Sequence, residues 1–128
     1  MKWYYWLLTA LYCSGIFYLS SKNHIDSPGL FDFPGADKVV HGVEYGMLAA
    51  LVSVGIRRSN KTVRAAVLLG APWVFAALYG ITDEFHQWFV PGRSCDILDW
   101  LADTSGAGLV SWFLCYWVWR VRDFSGEN

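Results

Sequence analysis

The sequence predicts an all-α integral membrane protein, a bundle of four transmembrane helices with both termini on the cytoplasmic side. Three observations point there. Hydrophobic residues make up 55% of the 128 residues and charged residues only 16%, where a soluble domain carries about 25% charged. The charges leave four long gaps, each close to the ~20 residues a helix needs to cross a hydrocarbon core. The basic residues gather on alternate connections. An aromatic content of 18% excludes intrinsic disorder. A formal net charge of −1 gives no general attraction to nucleic acid. Residues 1–128 read as a single membrane domain.

The first span, about 3–21, contains no Asp, Glu, Lys or Arg. Lys2 ahead of an apolar run also fits a signal peptide, but no small-x-small cleavage site follows it. Bulky Tyr12 before Cys13 argues against a lipoprotein site, and Trp3, Tyr4, Tyr5 and Trp6 read as an interfacial belt, so a retained helix is expected. The second span, about 39–56, is broken only by Glu44, with Asp37 as its expected N-cap. The third, about 65–88, is uncharged through Thr82; the fourth, about 98–119, carries only Asp103 beyond Trp100. None alternates with the period of two that barrel strands require.

Four spans place Lys2, Arg57, Arg58, Lys61, Arg64, Arg120 and Arg122 on one side, seven of the ten basic residues. Lys22, Lys38 and Arg93 fall on the other. Basic residues collect on the cytoplasmic side, which puts both termini inside. Trp3, Trp6, Trp117 and Trp119 then mark the inner boundary, Trp88 and Trp100 the outer one, and Trp73 and Trp112 lie within their spans. The basic 57–64 loop serves topology and anionic headgroups rather than nucleic acid.

Nine of the eleven acidic residues fall in the outer half: Asp26, Asp32, Asp37, Glu44, Asp83, Glu84, Asp96, Asp99 and Asp103. Asp26 and Asp32 read as loop residues. The carboxylates at span ends must face one another, water or a ligand, because each costs a few kcal/mol against lipid. At about 100° per residue, His41, Glu44 and Tyr45 share one arc of the second span. Tyr79, Asp83, Glu84 and Gln87 share a wider sector of the third, with His86 at its edge as an interfacial hydrogen-bonding group. Asp96, Asp99, Asp103 and Gly106 share a narrow sector of the fourth. Gly42 and Gly46 form a small-xxx-small pair suited to close helix approach. Helix 1 contributes no charged side chain and reads as an apolar support.

Three segments in this order carry a resemblance: Asp37-Lys38-x-x-His41-x-x-x-Tyr45, Asp83-Glu84-x-x-Gln87-x-Phe89-x-Pro91-Gly92-Arg93, and Asp99-x-x-x-Asp103-x-x-Gly106. Together they resemble the VanZ-like family of bacterial membrane proteins over roughly residues 37–108. The middle motif is the specific part. Many relatives have Asn where Asp103 stands, so this chain adds an acid there. The resemblance implies a multi-pass protein of the bacterial cytoplasmic membrane. The family takes its name from a protein linked to resistance to the glycopeptide teicoplanin, which acts on cell-wall precursors outside the cell.

The expected function is therefore an outward-facing polar pocket that binds or modifies an envelope lipid or cell-wall component, with membrane lipids as partners. Acid–base chemistry on a lipid-linked substrate would draw on His41, Glu44, Asp83, Glu84, Arg93 and Asp99, with His41 handling the proton. Arg93 either holds a phosphate or carboxylate through its planar fork, or forms a salt bridge to Asp96 or Asp99. Lys38, Tyr45, Tyr79, Gln87, Asp96 and Asp103 are the expected substrate-binding and supporting groups, with Lys38 read first as snorkelling toward headgroups. A divalent cation is the candidate cofactor, with His41, Glu44, Asp83 and Asp99 as the first ligand set and Glu84 and Asp103 as further oxygen donors, against a metal-free hydrogen-bond network. Phe89 and Pro91 shape the loop. Cys13 and Cys115 behave as small hydrophobes, and Cys95 stands in the outer loop. No serine or cysteine has a nucleophile setting.

Two other classes remain at this stage. An ion- or proton-coupled transporter needs polar groups continuing inward, and below Asp103 the fourth span offers only Thr104, Ser105 and Ser111 and the second only Ser53. A non-catalytic accessory subunit of an envelope complex needs a fixed partner.

Overall fold

The computed structural model describes residues 2–22 and 33–120; Asp26, Asp32 and Arg122 lie outside the described residues. Four α-helices follow one another: α1 Trp3–Ser20, α2 Ala36–Ser59, α3 Ala65–Gln87 and α4 Ile97–Phe113. The all-α expectation holds, and each helix matches a span read from the sequence. α2 and α3 are long and apolar enough to cross a membrane.

The ends differ from expectation where local chemistry decides them. α2 begins three residues early because Gly35, at φ 85°, turns the chain into the helix at its N-cap. Asp37 is therefore not the N-cap. It stands in the first turn, where its charge still favours the positive end of the helix dipole. At the other end Arg57 and Arg58 occupy the last turn and complement the negative end. Asn60 then stops the helix, its side chain accepting from the Thr62 amide and hydroxyl, both at 3.0 Å. α4 has the cap that α2 lacks: Asp96 accepts from the Leu98 amide at 2.9 Å. Beyond Phe113 the helix widens into a π-helical segment, Leu114–Val118, which carries the buried Cys115.

Burial runs opposite to that of a soluble domain. Asp103, Ser53 and Ser111 are fully buried, while Val43, Leu78, Phe85 and Leu109 are each at least 59% exposed. An apolar exterior around a polar interior suits a hydrocarbon solvent. The main core joins Ile16, Tyr45, Leu48, Ala49, Val52, Ala76 and Ala107 from all four helices. A smaller core of Ala65, Leu68 and Cys115 closes the end where α2 passes to α3.

α2 and α4 form the tightest seam. Gly42 and Gly46 of α2 meet the backbone of α4 at Ala102 and Gly106, the close approach that small residues permit. Indole nitrogens tie α3 to α4, with Trp73 donating to the Thr104 carbonyl and Trp100 to that of Ala77, each at 3.0 Å. α1 does more than support apolar surface. The Tyr12 hydroxyl donates to the Glu44 carbonyl at 3.0 Å, and the Cys13 carbonyl accepts from Tyr79 at 2.6 Å.

Candidate functional site

The polar residues converge where α2 and α4 begin and α3 ends. Lys38, in the first turns of α2, points across to α4. Its ammonium lies 2.9 Å from both Asp37 and Asp96 and also bonds Asp99. This corrects the snorkelling expectation: three carboxylates within reach outweigh the attraction of exposed headgroups.

One turn further along, His41 Nδ1 and Asp103 Oδ1 are 2.9 Å apart, while His41 Nε2 is 3.8 Å from Asp99 Oδ2. The i, i+3/i+4 spacing of Lys38 and His41 faces that of Asp99 and Asp103, so two successive rungs join α2 to α4. From α3, Glu84 Oε2 accepts from the Asp96 amide at 2.9 Å, which pins the start of α4 to the end of α3. Gln87 donates to Asp83 at 3.2 Å within α3. The Glu44 carboxylate forms no hydrogen bond or ion pair among the described residues, but it stands in the field of His41, Asp83, Asp103 and Arg93.

Several expected roles change. Tyr79 does not support the charged groups; its hydroxyl is spent on the Cys13 carbonyl of α1. Arg93 makes no salt bridge to Asp96 or Asp99 among the described residues; Lys38 pairs with both. Its buried Nε has no partner there either. The Tyr45 hydroxyl is buried beside Asp83, with no partner within hydrogen-bond distance among the described residues. His86 takes the interfacial part expected of it, hydrogen-bonding Ser21 Oγ at 2.9 Å and stacking on Phe17.

Ligand-capable atoms of His41, Glu84 and Asp103 lie within 4.8 Å of one another. Glu44, Asp83 and Asp99 are outside this trio. Glu84, placed by sequence among the acid–base residues, and Asp103, placed among the supporting polar groups, join His41 in this trio, while Asp99 Oδ2 stands 3.8 Å from His41 Nε2.

Beside this cluster a groove of about 410 Å³ runs between α3 and α4. Its walls are Ile81, Phe85, Trp88, Ile97 and Trp100, with Glu84, Cys95 and Asp96 at the polar edge. None of the apolar wall residues carries a motif, so sequence reasoning missed them as a site. The available signal was the i, i+4, i+7 spacing of Ile81, Phe85 and Trp88, the same helix side that holds Glu84. Outside the spans, Asp96 is held below the usual carboxylate range by the Leu98 amide and by Lys38. Burial, and then Glu84, push the Cys95 thiol up.

No curated protein and no solved structure gives a match to this chain. The family model described as VanZ/LLP1 matches residues 5–120, so all of the helical bundle but the first two residues of α1, with the groove and the whole polar end, lies within it: the chain belongs to the VanZ/LLP1 family.

Proposed function

We propose that the chain crosses the bacterial cytoplasmic membrane four times with both termini inside, and that its polar end faces outward to bind, and act on, the headgroup of an envelope lipid or lipid-linked cell-wall component. The α3–α4 groove carries this reading. Its volume of about 410 Å³ falls in the range of small-molecule sites. Aliphatic and aromatic walls suit a hydrocarbon chain, and the groove meets Glu84 and Asp96 where a headgroup would lie. The orientation rests on Arg57, Arg58, Lys61 and Arg64 at the opposite end.

Cys95 tests both parts. Cys13 is half-buried and Cys115 buried, while Cys95 is exposed and lines the groove. A membrane-impermeant maleimide should label it in intact cells; labelling only after permeabilisation overturns the orientation. In detergent, envelope lipids recovered with the protein should slow Cys95 alkylation when added back, and Ile97→Trp should abolish the protection. Equal alkylation with and without every such lipid fraction removes the lipid reading. A role in glycopeptide tolerance predicts lower teicoplanin sensitivity on expression in a sensitive host, lost with Glu84→Gln.

One observation favours a second reading. Ser53, Thr104 and Ser111 have buried hydroxyls without partners among the described residues, and they continue polarity from Asp103 along α2 and α4. An ion- or proton-coupled transporter would use such a line. Substrate-dependent flux in proteoliposomes, lost in Ser111→Ala, would place that reading first.

A further inference from the structure

We infer that His41, Glu84 and Asp103 form a binding site for one divalent transition-metal ion of the zinc–manganese class. The site deepens the headgroup reading, on which its biological purpose rests. Each of α2, α3 and α4 supplies one ligand, and the ligand-capable atoms lie within 4.8 Å of one another. Bonds of about 2.0–2.2 Å from such ligands bring them about 3–4 Å apart, so a small rotamer closure completes the set. One imidazole and two carboxylates favour a borderline ion over Mg²⁺ or Ca²⁺, which take oxygen ligands alone.

The state of the carboxylates is the independent observation. Glu84 is 4% exposed and Asp103 fully buried. Glu84 is held from outside the trio, its Oε2 accepting from the Asp96 amide, while Asp103 Oδ1 meets His41 within it. The other oxygens, Glu84 Oε1 and Asp103 Oδ2, are buried with no partner among the described residues. A ligand side chain held by one atom and offering another is how supporting contacts orient a metal site. Lys38 cannot neutralise either group, since its bonds go to Asp37, Asp96 and Asp99. Gly80 keeps the space open, because a methyl there would stand 3.2 Å from Asp103 Oδ2.

A cation also resolves an electrostatic conflict. Seven carboxylates, Asp37, Glu44, Asp83, Glu84, Asp96, Asp99 and Asp103, gather around this end and would repel an anionic headgroup. A divalent ion at the trio gives a phosphate or carboxylate a positive centre beside Glu84, at the polar edge of the groove.

The experiment is equilibrium dialysis of the full chain in lipid-free detergent against Zn²⁺, after chelator treatment, in a Cys95→Ser background that removes the exposed thiol. One saturable ion per chain is expected. His41→Ala, Glu84→Gln and Asp103→Asn should each weaken it at least tenfold, and Gly80→Ala should weaken it while every ligand is kept. Asp37→Asn, on an exposed residue, should leave it unchanged. Co²⁺ in place of Zn²⁺ should give visible d–d bands that disappear in His41→Ala. Absence of saturable binding by the folded wild-type chain, checked by circular dichroism, overturns the site. So does full binding in both His41→Ala and Asp103→Asn. Because the titration contains no lipid, a negative result leaves the groove reading to the Cys95 assay.

Discussion

Gly42 and Gly106 bring the backbones of α2 and α4 into direct contact: a methyl built at position 106 would overlap the Gly42 carbonyl. Backbone on both sides leaves no side chain to move aside. Gly106→Ala should therefore destabilise the bundle by about 1–3 kcal/mol, the usual cost of overpacking. Gly15 and Gly70 have open space around them, so Ala there should be neutral or slightly stabilising through helix propensity. Thermal unfolding in detergent, comparing Gly106→Ala with Gly70→Ala, checks the contrast; equal melting temperatures would show that the seam is looser than described.

Lys38 is the hub of the first rung. Lys38→Met keeps the apolar stem and removes the charge, leaving Asp37, Asp96 and Asp99 without their shared cation. The Lys38 side chain is 29% exposed, so the loss should lie between that of surface and buried pairs, about 2 kcal/mol. Removing one acid should matter less, because two partners remain. The check is a double-mutant cycle of Lys38→Met with Asp99→Asn, which should show clear coupling; additive effects would mean that the rung contributes little.

Asp96 should produce an acid-sensitive step. Its carboxyl is held below the usual range by the Leu98 amide and then by Lys38. A depressed folded-state value means stability is fully present above the unfolded value, near pH 4. It is lost as pH falls through the folded one. Stability should thus be flat, as far as this group is concerned, between pH 5 and neutrality and fall below about pH 4. Asp96→Asn preserves an N-capping oxygen while removing the charge. The variant should therefore keep α4 intact and show a shallower acid slope in melts followed from pH 6 downward.

Cys95 should react slowly for an exposed thiol. Burial against the groove and the nearby Glu84 both raise its pKa, so less thiolate is present at neutral pH. Its alkylation rate should keep rising with pH beyond the range in which an unperturbed thiol, near 8.5, levels off. Glu84→Gln should increase the rate at pH 7. An unchanged rate in that variant would place Glu84 too far from the thiol to act on it.

The four helices were legible in the sequence because hydrocarbon crossing needs uninterrupted apolar length, and gaps between charges record that length directly. His41, Glu44, Asp83, Glu84, Asp99 and Asp103 were legible as one polar end for a related reason, since helical phase and depth are both one-dimensional. Pairing was not. Whether Lys38 reached a headgroup or Asp96, and whether Tyr79 served Asp83 or the Cys13 carbonyl, depends on which helix lies opposite. Sequence spacing says nothing about that.

What the sequence by itself determined is the number, order and polar stripe of the helices, because these follow from long uncharged stretches and from 3.6 residues per turn. Only the tertiary structure decided that α2 and α4 touch through Gly42 and Gly106. That contact fixes how far His41 stands from Asp103, and with Glu84 it sets the atoms that can share a ligand. The groove of Ile81, Phe85, Trp88, Ile97 and Trp100 also belongs to the tertiary level. It is a space left between two helices, and no single segment of chain encodes a space.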